Sequence, residues 1–199
     1  MEKKKMVEYI LKGFKAYEEF VNKELHYVYK KDNVYKEVVF KANKKGFMHL
    51  CGVDYIDPKN SKKVSANHFY SLVKRKNISP SFLVPKTDGT TEQKLQVIEN
   101  LKDILTPNVR VIDGKVTFYN MTFDKGLRSR RQIFALALIE ENQYSEVYAP
   151  LSLLNLKVSK ADSLKKTYEV HCIYAKSRGK DDFIYFESED HKLSRLNPI

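Results

Sequence analysis

The sequence predicts an α+β fold, with N-terminal helices packed on a mainly antiparallel β-sheet, in a single domain over residues 1–199. Three observations predict it. Helical periodicity marks the region up to about residue 105, which reads as helix-rich. From about 106 to 190 the pattern turns to period two and short apolar runs, which reads as strand-rich. Hydrophobic residues make up 42% of the chain and aromatics 12%, enough for a packed core without disulfides or a structural metal.

The first element is a helix over 2–21. Met6, Ile10, Phe14 and Tyr17 recur at steps of four and three, and Gly13 is an internal weakness of about 1 kcal/mol. "ELHYVYK" and "VYKEVVFKA" are rich in β-branched and aromatic residues, and Asp32-Asn33 between them signals a hairpin. "GFMHLCGVDYI" is apolar without clear alternation and reads as a buried strand or a short helix, ended by Asp57-Pro58. Residues 65–77 form a helix with Ser65 as N-cap and a basic last turn, Lys74-Arg75-Lys76. A third helix, 91–105, follows with Thr90 or Thr91 as its cap.

Beyond residue 106, Asp113-Gly114 lies between two strand-like runs and predicts a hairpin turn. Ile133 to Ile139 is continuously apolar, as in a central strand buried on both faces. "SEVYAPLSLLNL", "TYEVHCIYAKS" and "DFIYFESE" complete the strands.

Net charge is +11, unevenly spread. Residues 1–80 hold 18 Lys/Arg against 9 Asp/Glu, and the remaining 119 hold 18 against 16. A basic half points to a polyanion partner, against the alternative of a lysine-rich solvated surface. The two cysteines, Cys51 and Cys172, form no CxxC pair and read as reduced buried thiols, which points to a cytosol. No run of 18 apolar residues occurs, so no membrane span is expected, and the N-terminus does not read as a signal peptide. HxH, HExxH, DxD, Walker, GxGxxG and GxSxG patterns are absent, so no metal or other cofactor is assigned.

The segment Phe47-Met48-His49-Leu50-Cys51-Gly52, the helical pair Phe69-Tyr70 and the later run Ser152-Leu153-Leu154 stand in a distinctive order. In this order they resemble the fourth family of phage-associated nucleases in the barnase–EndoU–colicin–RelE group. The resemblance covers nearly the whole chain after the first helix. It implies helices packed on an antiparallel sheet of the barnase/EndoU/colicin/RelE-like type, and metal-independent RNA cleavage. It also implies a mobile-element setting, where such proteins act as toxins or against host defence, and the chain's size and charge suit action on a host defence RNA such as a CRISPR guide.

Metal-free RNA cleavage requires a base for the 2′-OH, an acid for the 5′-oxygen and cations for the phosphorane. His49 is the first choice for base or acid, since histidine titrates near neutrality. The competing reading is a core histidine bonded to a backbone carbonyl. Beside it, Gly52 is expected to let an RNA backbone approach closely. Ser152, at a strand start, is suited to donate to a phosphate oxygen or to cap a turn. Lys176 completes the catalytic set as a phosphate-holding cation, with Arg178 beside it. Lys44, Lys45, Lys74, Arg75, Lys76 and the cluster Arg128, Arg130 and Arg131 are assigned to nucleic acid. The cluster reads equally as a solvated loop. His26, His68 and His191 read as surface residues, and His171 as a strand residue facing away from the core. The expected partner is RNA or a ribonucleoprotein. The rival reading is a non-catalytic inhibitor that occupies a nucleic-acid groove or binds a nucleoprotein.

Overall fold

The computed structural model describes residues 1–118, 121–142, 145–157, 164, 166–176 and 181–196. Helix α1 (Lys3–Glu18) leads into the hairpin β1 (Glu24–Lys31) and β2 (Val34–Lys41). Asp32 and Asn33 both take positive φ in its turn, as a two-residue hairpin of right-handed twist requires. Helix α2 (Lys44–Cys51) and the short strand β3 (Val53–Tyr55) follow. Next come α3 (Ala66–Lys74), β4 (Leu83–Pro85) and α4 (Thr90–Leu95). The remainder is strands β5 (Val109–Phe118), β6 (Met121–Ser129), β7 (Phe134–Asn142), β8 (Ser145–Asn155), β9 (Tyr168–Ala175) and β10 (Phe183–Glu187), then helix α5 (Glu189–Leu196).

The protein is α+β overall, but it is not N-terminal helices on a mainly antiparallel open sheet. Seven strands close a β-barrel in the order β1-β2-β8-β7-β6-β5-β9, with β9 returning to β1. Strand β10 adds to β9 alongside its pairing with β5. Closure comes from the N-terminal hairpin. β1 pairs antiparallel with β9, setting Leu25 beside Ala175, and β2 pairs parallel with β8 through Val39 and Phe40. The expected helical half thus donates two barrel strands, and closing the barrel removes the free edges an open sheet would leave.

Alternate strand residues, among them Leu25, Tyr27, Val38, Phe40, Leu127, Leu136, Leu153 and Ile173, share one core with the helices. A smaller cluster lies on the other face of β5 to β8 and includes Ile112, Phe123, Ala135, Ala137 and Leu154. β7 therefore contributes Phe134, Leu136 and Leu138 to one core and Ala135 and Ala137 to the other, as a strand buried on both faces does.

Other local expectations shift. The expected helix 91–105 splits into α4 and a 3-10 helix over Ile98–Leu105. Its start is Gly89, and Asp88 accepts from the Thr90 N–H and hydroxyl, so neither threonine is the cap. The second piece packs against α1, where a β-carbon on Gly13 would meet Ile98 at 2.7 Å. Gly13 is thus a close-approach point and not merely a weak helix residue. Asp113-Gly114 is a bulge inside β5, between Asp113 and Val116, and the β5–β6 connection falls at 119–120, outside the described residues. Asp113 is held there by Tyr29, Lys31 and Lys125. His26 is buried between Glu24 and Glu37 and stacks on Tyr174, and His191 is buried on α5, so neither is a surface residue.

Candidate functional site

The segment that reads as strand or helix becomes α2 because both ends are specified. Asn43 caps it, accepting from the Gly46 N–H at 3.2 Å. Gly52 ends it in the left-handed region at φ 66°, which favours glycine. Phe47, Met48, Leu50 and Cys51 form the buried stripe. Phe47 touches the rings of Phe14, Tyr17, Phe69 and Tyr70, which fixes α2 against α1 and α3. His49 is the residue of that turn left facing out, and it lines a cavity of about 1050 Å³.

The wall opposite His49 is β8. Ala137 pairs with Ser152 and Leu138 with Pro150, so Leu151 is an extra residue, a β-bulge. His49 Nε2 lies 2.7 Å from the Leu151 carbonyl oxygen. A carbonyl only accepts, so Nε2 carries the proton and Nδ1 carries the lone pair. Burial, with Lys94 next, pulls the imidazole below its ordinary pKa and outweighs the Leu151 bond, which favours the neutral form.

Lys94 comes from α4. It is almost wholly buried, and its Nζ donates to the His49 carbonyl at 3.3 Å, a cation placed at the C-terminus of α2. Burial depresses its pKa from the ordinary lysine range. α4 is docked by Thr91, whose hydroxyl donates to the Gly52 carbonyl and accepts from the Lys86 N–H. Asn155 donates to the Gln93 carbonyl, tying β8 to α4. A β-carbon on Gly52 would meet Lys94 at 3.0 Å and the Thr91 backbone at 3.3 Å. What approaches Gly52 closely is therefore α4 and not an RNA backbone.

Lys45, Lys63, Lys86 and Lys94 line the cavity with the carboxylates Asp54 and Asp88. Asp54 is committed to Lys63 at 2.6 Å and Lys86 at 2.7 Å, and Asp88 is bonded to Thr90. Lys45 and Lys94 make no ion pair among the described residues. The arrangement thus offers an imidazole, two ammonium groups without carboxylate partners among the described residues, and Ser152, which lines the same cavity. That set can move a proton and stabilise an anion.

Residues 9–192 match the family model described as phage-Barnase-EndoU-ColicinE5/D-RelE like nuclease4. The chain belongs to this family. No curated protein matches the chain, and no solved structure does. Membership covers most of the chain, and the function that it carries is that of a nuclease, in a phage-associated family. No helix among the described residues is long and apolar enough to cross a membrane.

In this nuclease the cavity gathers His49, Ser152 and Lys45 of the residues read from the sequence. It does not gather Lys176, which lines a second cavity with Lys23, Lys41 and Phe183. Lys44 sits on the first turn of α2 with its ammonium over the Tyr70 ring. Lys74, Arg75 and Lys76 end α3, whose other end reaches the cavity through Ser65 and Ala66, about 13 Å away at 1.5 Å per residue. Lys74 is paired with Glu18 there. Arg128 is buried on β6 and donates to Thr167, so it is not part of a solvated cluster; Arg130 and Arg131 are exposed in the turn after β6. Arg178 lies outside the described residues. Sequence reasoning missed Lys94. Its signal was present: it stands beside Leu95 on the stripe that also holds Thr91 and Ile98, an unusual place for a lysine.

Proposed function

We propose that the nuclease cuts RNA at the His49 cavity by metal-independent acid–base chemistry. The observation that carries this is the His49–Leu151 hydrogen bond, which leaves the Nδ1 lone pair of the imidazole in a cavity shared with Lys45 and Lys94. Nδ1 takes the 2′-OH proton. The 2′-oxygen bonds to phosphorus and the bond to the 5′-oxygen breaks. The Lys94 ammonium stabilises the phosphorane and gives its proton to the leaving 5′-oxygen, a transfer made easier by its lowered pKa. Lys45 and the Ser152 hydroxyl hold phosphate oxygens. The products are a 2′,3′-cyclic phosphate and a 5′-hydroxyl.

The basic half of the chain supports RNA as the polyanion. The phage association of the family supports a mobile-element role in a host cytosol, with a defence RNA such as a CRISPR guide as target. The test is incubation with structured RNAs in EDTA. Cleavage is expected to yield cyclic-phosphate ends, to fail when the 2′-OH at the cut is replaced by hydrogen, and to vanish in His49→Ala. Full cleavage by a folded His49→Ala protein would falsify the mechanism. Salt-sensitive binding with no turnover by the native protein would instead favour a groove-binding inhibitor.

A further inference from the structure

A second group of chemically reactive side chains lies away from the His49 cavity, where β9, β10 and α5 meet. It arises from a bulge. Val28 pairs with Cys172 but Tyr29 pairs with Val170, so His171 is an extra residue on β9. Side chains alternate along a strand, and one extra residue reverses the alternation. Val170, Ile173 and Ala175 stay in the core, while Cys172 joins neither core cluster. Glu187 on β10 stands directly opposite Cys172 in the ladder. His191 follows one helical turn later on α5, oriented by Ser188, whose hydroxyl accepts from its backbone N–H.

The Cys172 sulfur, a Glu187 oxygen and a His191 ring nitrogen all lie within 4.8 Å of one another. Cys172 and His191 are buried, and the Glu187 side chain is nearly so. Burial brings no apolar reason for a cysteine, a carboxylate and an imidazole to converge. We propose that Cys172, Glu187 and His191 form a zinc site that clamps α5 to the β9–β10 ladder, with solvent as the fourth ligand. Sulfur, imidazole and carboxylate are the donors that zinc takes, and tetrahedral coordination places them about 3.5 Å apart, so any pair near 4.8 Å draws in while the Glu187–His191 pair, at 2.7 Å, opens.

In the structure Glu187 holds His191 Nδ1 at 2.7 Å and Arg195 at 3.3 Å. The ion replaces the first contact. Arg195, an exposed side chain, swings to solvent. The Cys172 thiol releases its proton to solvent as the sulfur–metal bond forms.

The test uses chelator-treated full-length protein titrated with Co²⁺ and with Zn²⁺. Expected are one equivalent of Co²⁺ with thiolate-to-cobalt charge-transfer absorption, a Zn²⁺-dependent rise in melting temperature, and loss of the charge-transfer band in Cys172→Ala. Glu187→Gln keeps the side-chain volume and is expected to weaken Zn²⁺ by roughly tenfold or more. No thiolate band with the folded native protein overturns the proposal. So does a band retained in Cys172→Ala, or an equal Zn²⁺ affinity in Glu187→Gln.

Discussion

Gly52→Ala, compared with Gly89→Ala, tests how α4 is held against α2. Both glycines have positive φ, 66° and 75°. Each alanine therefore takes on a left-handed strain of about 1 kcal/mol, partly offset by about 0.5 kcal/mol of lost unfolded-chain freedom. A β-carbon at Gly89 meets nothing within 4 Å. One at Gly52 meets Lys94 Cδ at 3.0 Å and the Thr91 α-carbon at 3.3 Å. The lysine chain can yield, but the Thr91 backbone is bonded to Gly52 itself through its hydroxyl. Overpacking of that kind costs about 1–3 kcal/mol. Gly89→Ala is expected to lose about 0.5 kcal/mol, and Gly52→Ala about 1–3 kcal/mol more. Urea unfolding at pH 7, read as midpoints at constant slope, gives the comparison. Equal losses within about 0.5 kcal/mol would mean that α4 does not rest on Gly52, and the account of how Lys94 reaches His49 would fall.

Three further outcomes are expected. Lys94→Met removes a cation that opposes protonation of His49, so the His49 pKa rises; an NMR titration of its ring protons checks this without reference to activity, and an unchanged or lower value refutes it. Burial would raise the Asp113 pKa, but bonds from Lys125, Lys31 and Tyr29 outweigh it and hold the carboxyl well below the usual range. Its contribution is thus complete above the unfolded value near 4 and is lost as pH falls through the lower folded value, so Asp113→Asn costs about 2 kcal/mol at pH 7 and less at pH 3, read from urea midpoints at both pH values. Tyr17→Phe removes the 2.7 Å bond to the Asn43 carbonyl, beside the cap of α2, and is expected to lower stability by about 1 kcal/mol in thermal melts.

Much of this molecule was legible locally. Periodicity placed α1 and α3, Ser65 was the cap of α3, accepting from the His68 N–H, and Asp32-Asn33 was the hairpin turn. The apolar run marked a strand buried on both sides over 134–138, while Ile139 at its end is exposed. His49 stood out as a candidate from the segment that also carried the family resemblance, and the family holds. Each of these features is encoded within a few residues, because helix period, caps and turn preferences are short-range effects.

What the sequence could not determine depends on contacts between distant residues. Barrel closure needs Leu25 to lie beside Ala175, and neither segment carries a mark of that pairing. Asp113-Gly114 became a bulge because Tyr29, Lys31 and Lys125 converge on the aspartate, which outweighs a local turn preference. Lys176 and His49 fell into different cavities, while Lys94 and Leu151 came to His49 from α4 and β8. The reading of His49 as a core histidine fails, because its side chain faces the cavity, although the backbone-carbonyl bond of that reading is present. The sequence alone supplied the imidazole and the helix that carries it. The tertiary structure decided its proton position and its charged neighbours, because the bulge at Leu151 and the ammonium of Lys94 reach it only once the barrel and the helices have packed.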